Sequence, residues 1–290
     1  MKISVIVTNW NGLVLLKKYF LSVVLASPEA EEIIFTDDAS TDSSVAYITE
    51  LQKKYPQIKI ITHTKNVGFG ENTNYAVKQA KGDYVVLLNS DIKPHKNYIT
   101  SSLKHFKNKN VFGVGFAELG HECWARIFWS GGTLNHEPGK PVDKVHISAW
   151  VSGGSSIVNK KLFLKLGGFD PVYAPFYSED LDIGLRAWKS GYQLLWEPTS
   201  VVEHLHESTT SRFPKRFLDY VKERNRLLSI LRNFTSSQYT SSNSLWRLGR
   251  IFSGPNYIKI IRAAKKQIRQ NPPPVCFNKL TDQQVLDLFK

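Results

Sequence analysis

The first ninety residues alternate short apolar runs with segments in which apolar residues recur at helical spacing. Runs of β-branched and aliphatic residues predict four buried strands, at 2–8, 32–36, 58–62 and 84–88. The segments between them predict helices at 13–25, 39–55 and 71–80. A β-α-β-α-β-α-β order is typical of a mostly parallel central sheet with helices on both faces. The pattern therefore predicts an α/β, Rossmann-like fold.

Polar residues follow three of these strands at the point where each strand ends. They are Thr8 with Asn9, Asp37 with Asp38, and Asn89 with Ser90 and Asp91. Open α/β sheets bind ligands at the carboxyl ends of their strands, so these side chains are candidates for a nucleotide site. Asp91, just outside a buried strand, is also well placed to hold a cation. The chain has no glycine-rich fingerprint after its first strand and no GxxxxGK[ST] segment, which argues against a dinucleotide-binding or P-loop enzyme.

The remaining chain predicts further α/β elements and then a change of character. We expect helices at 97–106, 159–166 and 179–190, the last with Ser178 as its N-cap, and strands at 111–116, 150–158, 192–196 and 200–205. From residue 212 onward, apolar residues at helical spacing lie among Lys and Arg. This pattern predicts two basic amphipathic helices separated by a Ser/Thr-rich linker at 235–244. We therefore predict a domain at 1–210 and a basic helical extension at 211–290.

The charge of the chain is concentrated in that extension. The net charge is +13, and residues 211–290 hold 16 Lys or Arg against 4 Asp or Glu. Such asymmetry indicates a surface that meets nucleic acid, an anionic membrane or a phosphorylated lipid. A nucleic-acid-binding protein is disfavoured, because the charge lies outside the motif-rich body and no RRM, KH or helix-turn-helix signature occurs. The two cysteines, Cys123 and Cys276, have no paired spacing, which fits a reducing cytosol.

Six segments occur in order along the chain: VIVTNWNG, TDDAST, NVGFGENTNYA, LLNSD, GGFDPVYAPFYSEDLDIGLR and HLH. Together they resemble the successive motifs of inverting family 2 glycosyltransferases with the GT-A fold. The resemblance extends over about residues 2–208 and is closest to bacterial rhamnosyltransferase-like enzymes of cell-surface polysaccharide assembly. It implies a metal-dependent, inverting transfer of a sugar from dTDP-rhamnose or a UDP-hexose to a saccharide or a lipid-linked saccharide. A catalytically idle homologue is the alternative, and the intact Asp91 and Asp180 argue against it.

The resemblance places the NSD segment where the family has its DxD metal motif. Asn89 replaces the first acid, so Asp91 would carry the contact to Mg²⁺ or Mn²⁺. His204 would complete the metal shell or contact the diphosphate, with His206 as the second choice. The alternatives are a simple strand-end turn at the NSD segment and two strand-end histidines that hydrogen-bond to neighbours.

The resemblance also implies a set of donor contacts. Asp37 and Asp38 would bind the base and ribose of the nucleotide, and acids that interact with a helix N-terminus are the alternative. Further donor contacts are expected from six polar residues: Thr8, Asn9, Asn66, Asn74, Asn89 and Ser90. Structural capping is an open alternative for Thr8, Asn66 and Asn74.

The acidic segment at 179–182 matches the family motif that contains the catalytic base. Its second acid, Asp180, would deprotonate the acceptor hydroxyl as that oxygen attacks the anomeric carbon. Acids in a first helical turn are stabilising in any case, and Asp182 is spaced to pair with Arg186. Asp180 has fewer structural alternatives than Glu179 or Asp182, in agreement with the family assignment.

Two further features bear on the acceptor. Trp124, Trp129 and Trp150 could stack on sugar rings, although tryptophan more often belongs to the core. The basic helices at 211–290 could rest on the anionic cytoplasmic leaflet and bring the site to a lipid-linked acceptor, or could pack on the domain with their charges solvated. We expect a cytoplasmic protein, which would be peripheral at the inner face of the plasma membrane if the basic helices bind lipid.

Overall fold

A computed structural model describes residues 1–120, 124–205, 213–252 and 256–290 of the chain. The strands within these ranges are β1 (Ile3–Asn9), β2 (Glu32–Asp37), β3 (Ile58–Thr62), β4 (Tyr84–Asn89), β5 (Ile92–Pro94), β6 (Val111–Glu118), β7 (Ala125–Ser130), β8 (Thr133–Pro138), β9 (His146–Ile147), β10 (Ser155–Asn159) and β11 (Gln193–His204). The helices are α1 (Leu13–Ala26), α2 (Ser44–Lys54), α3 (Phe69–Gln79), α4 (Tyr98–Leu103), α5 (Lys160–Lys165), α6 (Glu179–Lys189), α7 (Lys215–Asn233), α8 (Ser237–Phe252), α9 (Asn256–Gln270) and α10 (Asp282–Asp287).

One large sheet organises the molecule, with the strand order β3-β2-β1-β4-β10-β6-β11-β5 and with β9 alongside β11. Strands β1 to β4 are parallel to one another, as the βα alternation predicts. Beyond β4 the sheet is mixed, because β10 runs antiparallel to both of its neighbours while β6 and β11 are parallel. Strands β7 and β8 form a separate hairpin. The carboxyl ends of β1, β2 and β4 therefore lie at one edge of the sheet.

Helices cover both faces of this sheet, and the apolar side chains of each strand divide between two core clusters. In β1, Val5 and Val7 pack with helices α1, α2 and α4, whereas Ile6 packs on the other face with α3, α5 and α6. All three of these side chains are buried. A strand that is apolar at every position is expected when both faces are covered, which confirms the α/β fold predicted from the run at 2–8.

The C-terminal helices pack against this body instead of extending away from it. Helices α7 and α9 bury a shared cluster that includes Leu228, Tyr257 and Ile260, together with the buried Tyr173 of the preceding region. Helix α10 follows a capping box at Thr281. Beyond α10, the Phe289 ring contacts the Trp188 ring of α6, with 5.7 Å between centroids. No helix within the described ranges is both long enough and apolar enough to span a membrane.

Some local predictions are wrong. The expected linker at 235–244 lies largely within helix α8, whose polar side chains hydrogen-bond to carbonyls one turn back. Ser178 precedes α6 but its side chain caps nothing, because the residue has φ +74°. The strand expected at 150–158 begins only at Ser155. The two strands expected at 192–196 and 200–205 form one strand, β11, with a register shift between Glu197 and Val201.

Candidate active site

A cavity of about 630 Å³ opens at the carboxyl ends of β1, β2 and β4. Most of the residues that the sequence predicts for the site line this cavity, although they come from distant parts of the chain. They are Thr8, Asn9, Asp38, Asn66, Asn89, Ser90, Asp91, Asp180 and His204. The fold thus brings the predicted donor, metal and base residues to one space.

Asp37 and Asn74 do not line the cavity and instead hold its walls. The Asp37 carboxylate accepts hydrogen bonds from the Asn9 side-chain amide at 2.8 Å and from the Ser40 backbone N–H at 2.8 Å. The Asn74 side chain donates to the Phe169 carbonyl and accepts from the Phe169 backbone N–H, both at 2.8 Å. Asp37 therefore orients Asn9 at the end of β1, and Asn74 ties α3 to the segment at Phe169, while a donor contact for either residue stays a prediction.

Asp38 shapes the loop that borders the donor side of the cavity. Its two carboxylate oxygens accept hydrogen bonds from the backbone N–H groups of Val67, at 2.7 Å, and Gly68, at 2.9 Å. Gly68 has φ +90°, a conformation that favours glycine, so this loop needs both the carboxylate and the glycine. Burial raises the pKa of Asp38, and the two backbone hydrogen bonds oppose that rise. Asn66, in the same loop, lines the cavity.

An imidazole lies between two carboxylates on the other side of the cavity. His204 Nε2 is 3.2 Å from Asp91 Oδ1, and His204 Nδ1 is 2.8 Å from Glu118 Oε2. The Ser155 hydroxyl donates to the second oxygen of Glu118. Burial alone would lower the pKa of His204, but the hydrogen bonds to Asp91 and Glu118 prevail and raise this pKa to about 9.

Sequence reasoning missed Glu118, because the strand predicted at 111–116 ends two residues before it. In the structure Glu118 is the last residue of β6, and it is paired in register with Val202 of the parallel strand β11. Two residues further along β11 lies His204. Glu118 is therefore identified by the pairing of two strands that are distant in the chain, and the spacing of residues in the sequence does not reveal that pairing. His206, the second choice for the metal shell, lies outside the described residues.

The residues at Asp91 and His204 fit a divalent ion that takes part of its ligands from a substrate. Within the described ranges, no group of three or more His, Cys, Asp or Glu is arranged to hold a metal. Asp91 and His204 offer one carboxylate oxygen and one imidazole nitrogen next to each other. Glu118 contacts the opposite ring nitrogen of His204, as carboxylates commonly do behind a metal-binding histidine. A divalent ion held by only these two side chains would keep several coordination positions open for phosphate oxygens and water.

Helix α6 begins with two adjacent acids that both line the cavity, Glu179 and Asp180. The Asp180 carboxylate accepts a hydrogen bond from the Leu181 backbone N–H at 2.8 Å. Burial raises the pKa of Asp180 to about 6, and backbone hydrogen bonds oppose this rise. Glu179 is only 8% exposed, and its Oε2 has no hydrogen-bond partner among the described residues. Burial, and after it the charge of Asp180, raises the pKa of Glu179 to about 8.

The third acid of the segment has a structural role. Asp182 is fully buried and accepts a hydrogen bond from Arg186 Nε at 2.7 Å, the i,i+4 pair that the spacing indicated. It also accepts from the Tyr173 hydroxyl at 3.0 Å and from the Asn233 side chain at 2.8 Å. These contacts fix helix α6 against its surroundings, so that Glu179 and Asp180 are held at the cavity.

Aromatic side chains form the remaining wall of the cavity, and they are not the tryptophans that the sequence suggested. The wall consists of Trp10, Phe176, Tyr177, Phe213 and Phe217. The Trp10 and Phe213 rings stack at a centroid distance of 6.0 Å, and Phe213 lies 5.3 Å from Phe176 and 5.4 Å from Phe217. These five residues are called the aromatic wall below.

The three tryptophans named from the sequence lie elsewhere, and none of them lines this cavity. Trp124 stacks on His146 with 3.9 Å between ring centroids. Trp129 packs on the rings of Phe234 and Tyr239, and Trp150 lies against His136. Phe217 and Phe213 could not be identified from spacing, because their position depends on how the start of α7 docks onto the body.

Comparison with known proteins finds similar glycosyltransferases. Residues 4–133 match the family described as Glycosyl transferase family 2. The N-acetylglucosaminyl-diphospho-decaprenol L-rhamnosyltransferase of Mycobacterium tuberculosis is 24% identical over 240 residues, which are 70% of this chain and 76% of that protein.

Solved glycosyltransferase structures share the fold. The crystal structure of GalNAc-T7 with UDP, GalNAc and Mn²⁺ superposes with a TM-score of 0.68 at 18% identity, over 83% of this chain and 49% of that chain. The mannosyltransferase PcManGT from Pyrobaculum calidifontis, in complex with GDP-Man and Mn²⁺, superposes with a TM-score of 0.61 at 15% identity, over 91% of this chain and 75% of that chain. The chain is thus a glycosyltransferase with a GT-A fold, in which residues 4–133 match the family 2 domain.

Proposed function

We propose that this glycosyltransferase moves a sugar from a nucleoside-diphosphate sugar to an acceptor hydroxyl, with inversion and with the help of a divalent metal. The observation that carries the proposal is that Asp91 with His204 and the acid Asp180 line the same cavity. An inverting transfer needs a group that stabilises the departing diphosphate and a base that activates the nucleophile. The two sets of residues can divide these tasks between them.

Asp91 and His204 would hold Mg²⁺ or Mn²⁺. The ion, when bound, neutralises charge on the departing nucleoside diphosphate. Glu118 keeps the His204 ring oriented through the 2.8 Å contact with Nδ1. The loop that Asp38 organises, with Asn66, would contact the nucleoside of the donor, together with Thr8, Asn9, Asn89 and Ser90. Structures of GalNAc-T7 and PcManGT, both with Mn²⁺, support the metal by analogy of fold.

Asp180 would accept the proton of the acceptor hydroxyl. Because the pKa of Asp180 is raised to about 6, its carboxylate is ionised at neutral pH and is a better base than an ordinary aspartate. Glu179, with a pKa of about 8, would remain protonated beside it and could donate a hydrogen bond into the cavity. A neutral Glu179 also avoids a second negative charge next to Asp180.

For the donor and the acceptor we propose dTDP-rhamnose or a UDP-hexose, and a saccharide or a lipid-linked saccharide of cell-surface polysaccharide synthesis. The name of the mycobacterial relative, a rhamnosyltransferase that acts on a lipid-linked N-acetylglucosaminyl diphosphate, supports this class. The aromatic wall supports it too, because the apolar faces of sugar rings pack on aromatic side chains. We further propose that residues 1–210 form the catalytic domain and that residues 211–290 bring it to the cytoplasmic face of an anionic membrane.

A thermal-shift panel tests the proposal. The full chain is melted with dTDP- and UDP-sugars, each with and without Mn²⁺. A donor at about 100 times its Kd should stabilise the protein by about 2.7 kcal/mol, roughly 5–10 °C in Tm. In Asp91→Asn the Mn²⁺-dependent part of the shift should disappear, whereas the matched change of an exposed acid, Asp143→Asn, should leave it intact. If no nucleotide sugar stabilises the protein, the proposal is wrong.

A further inference from the structure

One face of helix α8 is apolar and turned to solvent. Leu245, Leu248 and Phe252 are 70%, 52% and 88% exposed. They are spaced i, i+3 and i+7, so they lie on the same side of the helix. These three residues are called the α8 apolar face. Single exposed apolar residues are common on proteins, but three large ones in one row on a helix indicate a contact surface.

The opposite sides of α8 and α9 already hold both helices in place. On α8, Tyr239 and Asn243 are buried, and the Asn243 side chain donates to the Gly132 carbonyl at 3.0 Å. On α9, Tyr257 and Ile260 are buried against α7. The α8 apolar face is therefore not needed to attach the helix to the body, and it is presented on a fixed support.

The charged residues of α8 and α9 are all cationic. Neither α8 nor α9 contains an Asp or a Glu. Helix α8 carries Arg247 and Arg250. Helix α9 exposes five further cations: Lys259, Arg262, Lys265, Lys266 and Arg269. Arg250 is partly engaged, since it lies 3.6 Å from Glu223 and over the Trp246 ring, whereas the α9 cations lie on the exposed side of their helix.

We propose that the α8 apolar face inserts into the interfacial region of an anionic lipid bilayer while the cations of α9 contact the lipid headgroups. A helix with an apolar row and a basic flank is the usual form of such an interfacial element. The inference rests on the proposed membrane association of residues 211–290 and goes further, because it names the face and the residues that would enter the lipid. It does not depend on the sugar transfer itself.

The positive charge of α8 and α9 and the small area of the α8 apolar face favour a lipid bilayer over a protein as the partner of this face. A second copy of this chain would bring the same cations opposite one another, and like charges across an interface are repulsive. A stable protein interface needs about 1,200 Å² or more of buried surface, more than three side chains supply. A bilayer sets no such minimum area, and each cation near an anionic surface strengthens binding roughly fivefold.

Vesicle co-sedimentation of the full chain tests the inference. The vesicles are phosphatidylcholine alone or phosphatidylcholine with about 30% phosphatidylglycerol, at low and at physiological salt. We expect binding to the anionic vesicles only, weaker at higher salt. Replacing the α8 apolar face (Leu245→Ser, Leu248→Ser, Phe252→Ser) should weaken that binding by at least roughly tenfold. Lys265→Gln with Lys266→Gln should weaken it by roughly tenfold or more through the lost charges.

A second apolar row on helix α1 gives the matched control. Val14, Leu21 and Leu25 are also exposed, but α1 carries only Lys17 and Lys18. The triple serine variant of these residues should bind vesicles as the parent chain does. Loss of binding in this control equal to that of the α8 variant would overturn the assignment, as would an α8 variant that binds normally. Equal binding of the parent chain to both kinds of vesicle, or to neither, would also overturn it.

Two readouts separate this inference from its rivals and from the proposed function. The Tm shift with donor and Mn²⁺ is measured on the α8 variant and should equal that of the parent chain. A failure of lipid binding with an intact donor shift therefore overturns the membrane inference alone. Size-exclusion chromatography of the parent chain should give a monomer, or the same oligomer as the α8 variant. A dimer that the α8 change dissolves would overturn the inference by assigning this face to self-association.

Discussion

The adjacent acids Glu179 and Asp180 should respond differently when each is replaced by its neutral amide. In Asp180→Asn the base is removed, so we expect kcat/KM to fall by about 10²–10⁴-fold, the usual contribution of a positioned base. In Glu179→Gln the amide replaces a carboxyl group that is already neutral at pH 7, because its pKa is raised to about 8. That variant should keep its rate within roughly threefold of the parent enzyme.

The pH dependence of the rate gives a second, independent test of Asp180 as the base. With the pKa of Asp180 at about 6, about a tenth of the base is ionised at pH 5 and about nine-tenths at pH 7. The rate should therefore rise about tenfold between these values and then level off. Below pH 8 Glu179 is neutral, so Glu179→Gln should leave the midpoint near 6.

The raised pKa of Asp180 also predicts how the free energy of unfolding changes with pH. The folded-state pKa of Asp180 is raised above the ordinary value, so the free energy of unfolding should fall as the pH rises from about 4 through about 6. In Asp180→Asn the contribution of Asp180 should be lost while that of Glu179, whose pKa is raised to about 8, remains, and the variant should be at least as stable as the parent chain at pH 8. Its inactivity then cannot be ascribed to unfolding.

The assay is initial-rate measurement of nucleotide release from the donor that the thermal-shift panel selects, with acceptor present, between pH 5 and pH 9. The donor-induced Tm shift serves as the control for folding and binding in both variants. Turnover of Asp180→Asn close to that of the parent enzyme would remove Asp180 from the role of base. A Glu179→Gln variant as inactive as Asp180→Asn would refute the argument that Glu179 works as a neutral group.

Three further changes test the supporting residues. Glu118→Gln should weaken Mn²⁺ binding about 10–100-fold, measured by calorimetry with donor present, because the His204 ring loses its orienting carboxylate; an unchanged affinity would separate Glu118 from the metal site. Phe217→Ala should raise the acceptor KM by about fivefold at constant donor affinity, and an effect on donor affinity alone would place the aromatic wall on the donor side. Lys189→Met should lower the free energy of unfolding by about 3–5 kcal/mol in urea titrations, since it leaves Asp282 buried without its cation, and adding Asp282→Asn should restore most of that loss.

The elements that the sequence predicts correctly are those with a local hydrophobic pattern. The four N-terminal strands follow from short apolar runs, three of which stop at Asp or Asn, and they form the parallel half of the sheet. The sequence could not separate Asp37 from Asp38, because both follow β2 directly. Only the packing decides that Asp38 borders the cavity while Asp37 binds Asn9 and Ser40.

The unpredicted part depends on contacts between distant segments. Glu118 reaches His204 because β6 pairs in parallel with β11, a connection of 86 residues along the chain. The antiparallel insertion of β10 between β4 and β6 likewise has no local signature. The Ser/Thr-rich stretch at 235–244 misled the prediction because those residues favour turns in isolation, yet tertiary packing of Tyr239 and Asn243 holds them in a helix.

The contacts of helix α7 bear on the division of the chain at residue 210, which stays a prediction. Asn225 of α7 is fully buried, and its side-chain amide donates to the carbonyls of Phe176, at 2.9 Å, and Tyr177, at 2.8 Å, in the segment just before the two acids of α6. Phe217, from the first turn of the same helix, is part of the aromatic wall. Residues 211–290 therefore do more than add a basic surface: they complete the wall of the cavity and hold the segment that leads into Asp180. A membrane contact through α8 would therefore be made by the same C-terminal region that lines the cavity through Phe217 and holds the segment before Asp180 through Asn225. Membrane docking and acceptor binding would then depend on the same group of helices.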